Sequence, residues 1–145
     1  MRIMGLDVGI KTIGVALSDP LGLTAQALET IRRTDGREFD RLAEIVARYD
    51  VQAVVVGLPK HMDNTLGEMA EVARAVGRHV ERRLGLPVTY WDERLSTFSA
   101  ERVLIEADVS RRRRKGVVDA LAAQFILQHY LDARRAQGGF SDGRS

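Results

Sequence analysis

The residues of this chain that can do chemistry are carboxylates, and the first is Asp7. It stands where the apolar stretch Ile3-Met4-Gly5-Leu6 gives way to Val8-Gly9-Ile10-Lys11-Thr12. Alternation resumes in Ile13-Gly14-Val15-Ala16-Leu17-Ser18, so the segment reads as two short strands joined by a tight turn, with Gly9 expected to use backbone angles closed to other residues. Asp7 then lies at the carboxyl end of a strand, where open α/β sheets place ligands. The alternative is a turn-forming Asp with no further role. A second acidic position, Asp92-Glu93, follows Val88-Thr89-Tyr90-Trp91; side chains alternate along a strand, so one of the two acids faces the crevice. The third acid, Asp119, is set among Val117, Val118, Ala120, Leu121, Ala122 and Ala123. A carboxylate there is costly unless a helix amino end or a cation compensates it. Serving the helix dipole alone would be worth a few tenths to about one kcal/mol.

Three acids gathered from distant segments repel one another when nothing lies between them. Oxygen-only donors suit Mg²⁺ or Mn²⁺ and suit zinc poorly. The chain has no cysteine, which excludes disulfides, thiolate metal sites and a thiol nucleophile. No Ser-His pairing stands out either, so the chain offers no convincing protein nucleophile.

The net charge of +2 hides a concentration of positive charge, because Arg111, Arg112, Arg113, Arg114 and Lys115 form one unbroken run. Without that run the rest of the chain is acidic. Charge focused in this way fits a local grip on a polyanion, with a solvated basic loop as the alternative.

The elements that must position these residues follow from periodicity. Strands are expected near Arg2–Leu6, Ile13–Ser18 and Ala25–Thr30, then a helix over Arg37–Tyr49 capped by Asp35, a buried strand over Val51–Gly57, and a loop over Leu58–Thr65. A long helix to about Leu84 carries the stripe Leu66, Met69, Ala73, Val76, Val80 and Leu84. A fifth strand spans Val88–Trp91, Ser96 or Thr97 caps a helix to about Ala107, and the basic loop precedes a final helix from Val117 to about Arg135. The expected class is α/β: a five-stranded mixed sheet, antiparallel in its first three strands and then parallel, with helices on both faces. The 145 residues, 45% hydrophobic and 29% charged, suit one soluble domain over 1–136 with a flexible tail over 137–145. No apolar run reaches a membrane span and the start lacks a signal-peptide core, so a cytoplasmic location without membrane partners is expected.

Four blocks together carry a family resemblance. They are Gly5-Leu6-Asp7-Val8-Gly9 with Ile13-Gly14-Val15-Ala16; Val56-Gly57-Leu58-Pro59 with Met62-Asp63; Asp92-Glu93-Arg94-Leu95-Ser96-Thr97; and Lys115 with Val118-Asp119-Ala120 and Ala122-Ala123. In this order and spacing the chain resembles the YqgF/RuvX family of ribonuclease H-like proteins, described as pre-16S rRNA nucleases or Holliday-junction resolvases. The resemblance implies a catalytic, metal-binding set of Asp7, Glu93 and Asp119, with Asp92 as the fallback ligand, holding two divalent ions, Mg²⁺ or Mn²⁺, around a scissile phosphate, one to generate the attacking water and one to stabilise the leaving oxygen, and leaving a 5′-phosphate. It also makes the first and fourth strands neighbours, which brings Lys11, Lys60 and His61 beside Asp7 as phosphate contacts. Arg94 either pairs with Asp92 or reaches substrate, and Arg111–Lys115 overhang the acids. Ile10 stands where the family often has Thr, and Asn64 where Gly often follows Asp63.

The resulting expectation is a metal-dependent nuclease, most directly one that matures the 5′ end of pre-16S rRNA, with ribosomal particles as partners. A resolvase acting on branched DNA is the alternative, and it would need a two-fold homodimer where an RNA-trimming enzyme works as a monomer. A non-catalytic RNA-binding module would have little reason to keep costly clustered acids. An actin-like phosphotransferase, whose first hairpin also begins Asp-x-Gly, needs a second such hairpin that this chain lacks.

Overall fold

The computed structural model describes residues 1–58, 67–92 and 114–142. Within them five strands form one sheet: β1 (Arg2–Val8), β2 (Thr12–Ser18), β3 (Ala25–Arg32), β4 (Val51–Leu58) and β5 (Val88–Asp92), in the order β3-β2-β1-β4-β5. The β1/β2 and β2/β3 pairings are antiparallel, and β1/β4 and β4/β5 are parallel. This is the mixed sheet expected from the sequence. The parallel trio β1, β4 and β5 all end on the same side, so Val8, Leu58 and Asp92 mark one rim.

Among the described residues three helices cover the sheet: α1 (Arg37–Tyr49), α2 (Gly67–Leu84) and α3 (Arg114–Asp142). Alternation sorts the strands into two faces. Met4, Leu6 and Val8 of β1, with Val54, Val56 and Leu58 of β4, pack with Phe39, Leu42 and Ile45 of α1 and Ala73, Val76 and Val80 of α2. Ile3, Ala16 and Val55 point the other way, against Ala122, Ala123, Ile126, Leu127 and Leu131 of α3. Because β4 is covered on both faces, Val54-Val55-Val56 is continuously apolar and fully buried.

Helix α3 lies close on the sheet because glycines make room for it. A Cβ on Gly5 would stand 2.8 Å from Leu127 Cβ, and one on Gly14 would stand 1.9 Å from the Asp119 carbonyl oxygen. Small residues at these two points let the helix backbone approach the strands directly, which sets the height of Asp119 above the sheet.

Several details differ from the sequence reading. Asp35 is not the cap of α1: the N-cap is Gly36, left-handed at φ 91° and without a side-chain cap. The carboxylate of Glu38 does that work, accepting from Thr34 N at 3.0 Å and Gly36 N at 3.1 Å. Gly9 does not use the left-handed region, which is occupied among the described glycines by Gly22, Gly36 and Gly85. Its turn is closed by Gly9 N donating to Thr12 O at 2.8 Å, and a Cβ there would crowd that same oxygen at 3.2 Å. Helix α3 begins at Arg114 rather than Val117, so Arg114 and Lys115 belong to a helix and not to the expected loop; both are good helix formers. It continues to Asp142, past Arg135, where Asp132 ties Gln128 and Arg135 along one face at 3.0 Å each. The helix expected after Ser96 or Thr97 lies outside the described residues.

Candidate active site

Asp7 sits one residue before the end of β1, and its cross-strand partner is Gly14 on β2. Directly opposed residues on antiparallel strands share a face. The Gly14 Cβ direction runs straight into the backbone of Asp119, so Asp7 faces the amino-terminal part of α3. The same conclusion follows along β1: Ile3 and Gly5, four and two residues earlier on the same face, pack against α3, with Gly5 directly under Ala123 and Leu127. One helical turn before Ala123 stands Asp119. The two acids, more than a hundred positions apart in the chain, thus converge at the rim of the parallel strands.

Asp119 is held in place by the hairpin. Thr12 Oγ1 donates to Asp119 Oδ2 at 2.7 Å, in a half-buried setting. The bond satisfies one carboxylate oxygen and leaves the other oxygen's direction to be set by the geometry it imposes. The sequence reading did not single out Thr12. Its signal was present, a hydroxyl residue directly after the turn that follows Asp7, but its partner is known only from the fold.

The register also decides the face of Asp92. Trp91 packs with the α3-face cluster while Tyr90 packs with the α1/α2 cluster. Asp92 pairs with Leu58, itself part of the α1/α2 cluster, so alternation assigns Asp92 to the face away from Asp119. Glu93 itself lies outside the described residues, as do Arg94, Lys60, His61 and Arg111–Arg113. Among the described residues no group of three His, Cys, Asp or Glu is assembled to hold a metal ion, and Asp92 does not complete such a group with Asp7 and Asp119.

The donor set fits a hard cation. Two carboxylates and a hydroxyl stand at one rim, with neither cysteine nor a described histidine beside them, and closely placed carboxylates are stabilised by an oxygen-seeking divalent ion.

Lys11 is exposed on the turn between β1 and β2. The turn is braced from outside: Arg33 N donates to Lys11 O at 2.8 Å, and Arg33 Nη1 to Gly9 O at 3.1 Å. Arg33 is in turn gripped by Glu38, Nε to Oε2 at 3.1 Å, although Glu38 is only 4% exposed. Burial pushes the Glu38 carboxyl up, but the backbone amides of Glu38 and Thr34 and the Arg33 guanidinium outweigh it and leave the group below its usual value.

This sheet order, with helices on both faces and acids at the rim of the parallel strands, defines the ribonuclease H-like class of α/β fold. The structure superposes on the RuvC resolvase of Thermus thermophilus in complex with a Holliday junction substrate with a TM-score of 0.58, at 22% identity over 92% of this chain and 95% of that one. A second structure of RuvC from the same organism matches at 0.56 and 20% identity, over 94% and 97% of the two chains. The family model for RuvX, described as a Holliday junction resolvase, matches residues 1–133, and the chain belongs to the RuvX family. A relative from Listeria monocytogenes is 60% identical over 135 residues, covering 91% of this chain and 98% of its own length. One from Moorella thermoacetica is 59% identical over 140 residues, covering 96% and 99%. Both carry the name "Putative pre-16S rRNA nuclease".

Proposed function

We propose that this protein is a divalent-metal-dependent nuclease that hydrolyses phosphodiester bonds, with maturation of the 5′ end of pre-16S rRNA as its task. The observation that carries this reading is the convergence of Asp7 and Asp119 on one rim, with Thr12 orienting the second acid. Family membership and relatives at about 60% identity support the substrate class.

In this reading Asp7 and Asp119 would hold Mg²⁺ or Mn²⁺ together with Glu93. The bound ions would supply charge for the developing oxyanion and lower the pKa of the attacking water. The chain's own residues do the rest. Thr12 keeps one Asp119 oxygen fixed, so the carboxylate presents the same edge to each substrate. Lys11, on its braced turn, meets the phosphate approaching from the β1–β2 side. Lys60, His61, Arg94 and the Arg111–Lys115 run are the groups assigned to the flanking backbone. Water adds to phosphorus in line, the bond to the 3′ oxygen breaks, and the products are a 3′ hydroxyl and a 5′-phosphate.

A second reading is a junction-resolving endonuclease on DNA, favoured by the RuvX family description and the RuvC-like fold. One experiment separates the two: pure protein with Mn²⁺ is given a labelled precursor of 16S rRNA and, separately, a four-way DNA junction, with Asp7→Asn as control. Cleavage of the RNA by wild type alone is expected, and Asp7→Asn should lose at least about 100-fold in rate, since even outer-shell changes at metal sites cost 10–100-fold. Cutting confined to the junction would replace the first reading with the second, and equal activity in Asp7→Asn would remove both.

A further inference from the structure

We propose that Arg32 is a substrate-binding residue that holds a backbone phosphate adjacent to the one being cut, so that the nucleic acid leaves the acid pair across the outer strand β3. The proposal rests on the nuclease reading above and extends it to a residue and a direction. Arg32 is the last residue of β3, an edge strand with no described strand paired beyond it. Its cross-strand partner is Thr12, the residue whose hydroxyl holds Asp119. Opposed residues share a face, with Cβ atoms about 4.5–5.5 Å apart. Ile31, one position earlier, is buried in the α1/α2 cluster, so alternation independently assigns Arg32 to the α3 face with Asp7, Thr12 and Asp119.

Charge makes the position informative. Two nearby arginines are committed within the protein: Arg33 to Glu38 and Gly9, and Arg41 to Glu29 and Glu44. The Arg32 side chain is exposed and makes no hydrogen bond or ion pair with any described residue. An arginine held on a strand beside the acid rim, with no described carboxylate neutralising it, presents a planar fork suited to bidentate phosphate binding. Two strand spacings separate β3 from β1, about 10 Å. That spacing suits the phosphate next to the one held at the acid pair. Lys11, exposed on the turn between the two places, lies along the same track.

The test measures affinity of the full chain for a fluorescein-labelled single-stranded RNA across a KCl titration in EDTA, so binding is read without cleavage. Arg32→Gln is expected to weaken binding several-fold at low salt and to flatten the slope of log K against log salt by about 0.7, the value for one neutralised phosphate on a single strand. Arg32→Lys should keep the slope, and Arg74→Gln, on α2 and paired with Glu71, should keep both slope and affinity. In the Mn²⁺ cleavage assay Arg32→Gln should raise KM and leave kcat in place. An unchanged slope and KM in Arg32→Gln overturns the assignment, as does a fall in kcat at constant KM, which would move Arg32 to the reacting phosphate. Wild-type protein whose RNA affinity ignores salt would instead overturn the nuclease reading beneath it.

Discussion

Thr12 connects the hairpin that carries Asp7 to the helix that carries Asp119, through one 2.7 Å hydrogen bond. A group of this kind sets the orientation of a metal-binding carboxylate without touching the metal, and losing it typically weakens metal affinity 10–100-fold. Thr12→Val, which keeps the shape and removes the hydroxyl, is therefore expected to raise the Mn²⁺ concentration needed for half of the thermal-midpoint increase by that factor. Thr12→Ser should recover most of it. If Val and Thr behave alike in the Mn²⁺ titration, the bond has no part in the site. In the absence of metal, Asp7→Asn is expected to be neutral or slightly stabilising, because it relieves repulsion with Asp119.

At the scale of elements, the site depends on how closely α3 and the β1–β2 turn are seated. Gly14 is the tightest point, since a Cβ there would overlap the Asp119 carbonyl. The obstacle is backbone and cannot swing aside, so Gly14→Ala is expected to destabilise by about 3 kcal/mol, the upper part of the overpacking range. It should also abolish the Mn²⁺-dependent rise in melting midpoint by lifting Asp119. A chemical-denaturation midpoint close to wild type would show that the helix tolerates the added methyl. The turn depends on Glu38 through Arg33. The Glu38 carboxyl lies below its usual value of 4.5 when folded, so its contribution is fully present above about pH 4.5 and is lost as pH falls through the lower folded value. Glu38→Gln should cost about 1–3 kcal/mol at pH 7, the range for stranding buried donors. It should also flatten the decline of stability below about pH 4.5. Parallel acid limbs for wild type and variant would contradict the assignment.

For the whole molecule, charge is the quantity that couples the site to a long polyanion. The five basic residues Arg111–Lys115 run directly into α3, so the positive run ends about one helical turn before Asp119. Replacing Arg111, Arg112, Arg113 and Arg114 together by Gln is expected to lower the salt slope of RNA binding by up to about 0.7 for each phosphate these residues neutralise. The melting midpoint should stay near that of wild type, since the substitutions leave every named residue of the two apolar clusters in place. An unchanged slope would assign the run to solvent. No helix among the described residues is long and apolar enough to cross a membrane.

Much of this architecture was legible in one dimension, because strands and helices write their burial into the chain as periods of two and 3.6. Val54-Val55-Val56 announced a strand covered on both faces, and the sheet's antiparallel beginning followed from the hairpin around Gly9. Asp7 was legible because an acid at the end of an apolar strand has few uses in a core. The cap of α1 was not, because Glu38 reaches backward to amides that Asp35 was expected to serve. Sequence by itself determined the element types, the apolar faces and the candidate acids, since each depends on neighbours a few residues away. Only the tertiary structure decided that Gly14 admits Asp119, that Thr12 grips it, that Asp92 belongs to the opposite face and that Arg32 joins the rim. Those are matters of register between strands and of how close a helix can approach, and they arise from packing between segments far apart in the chain.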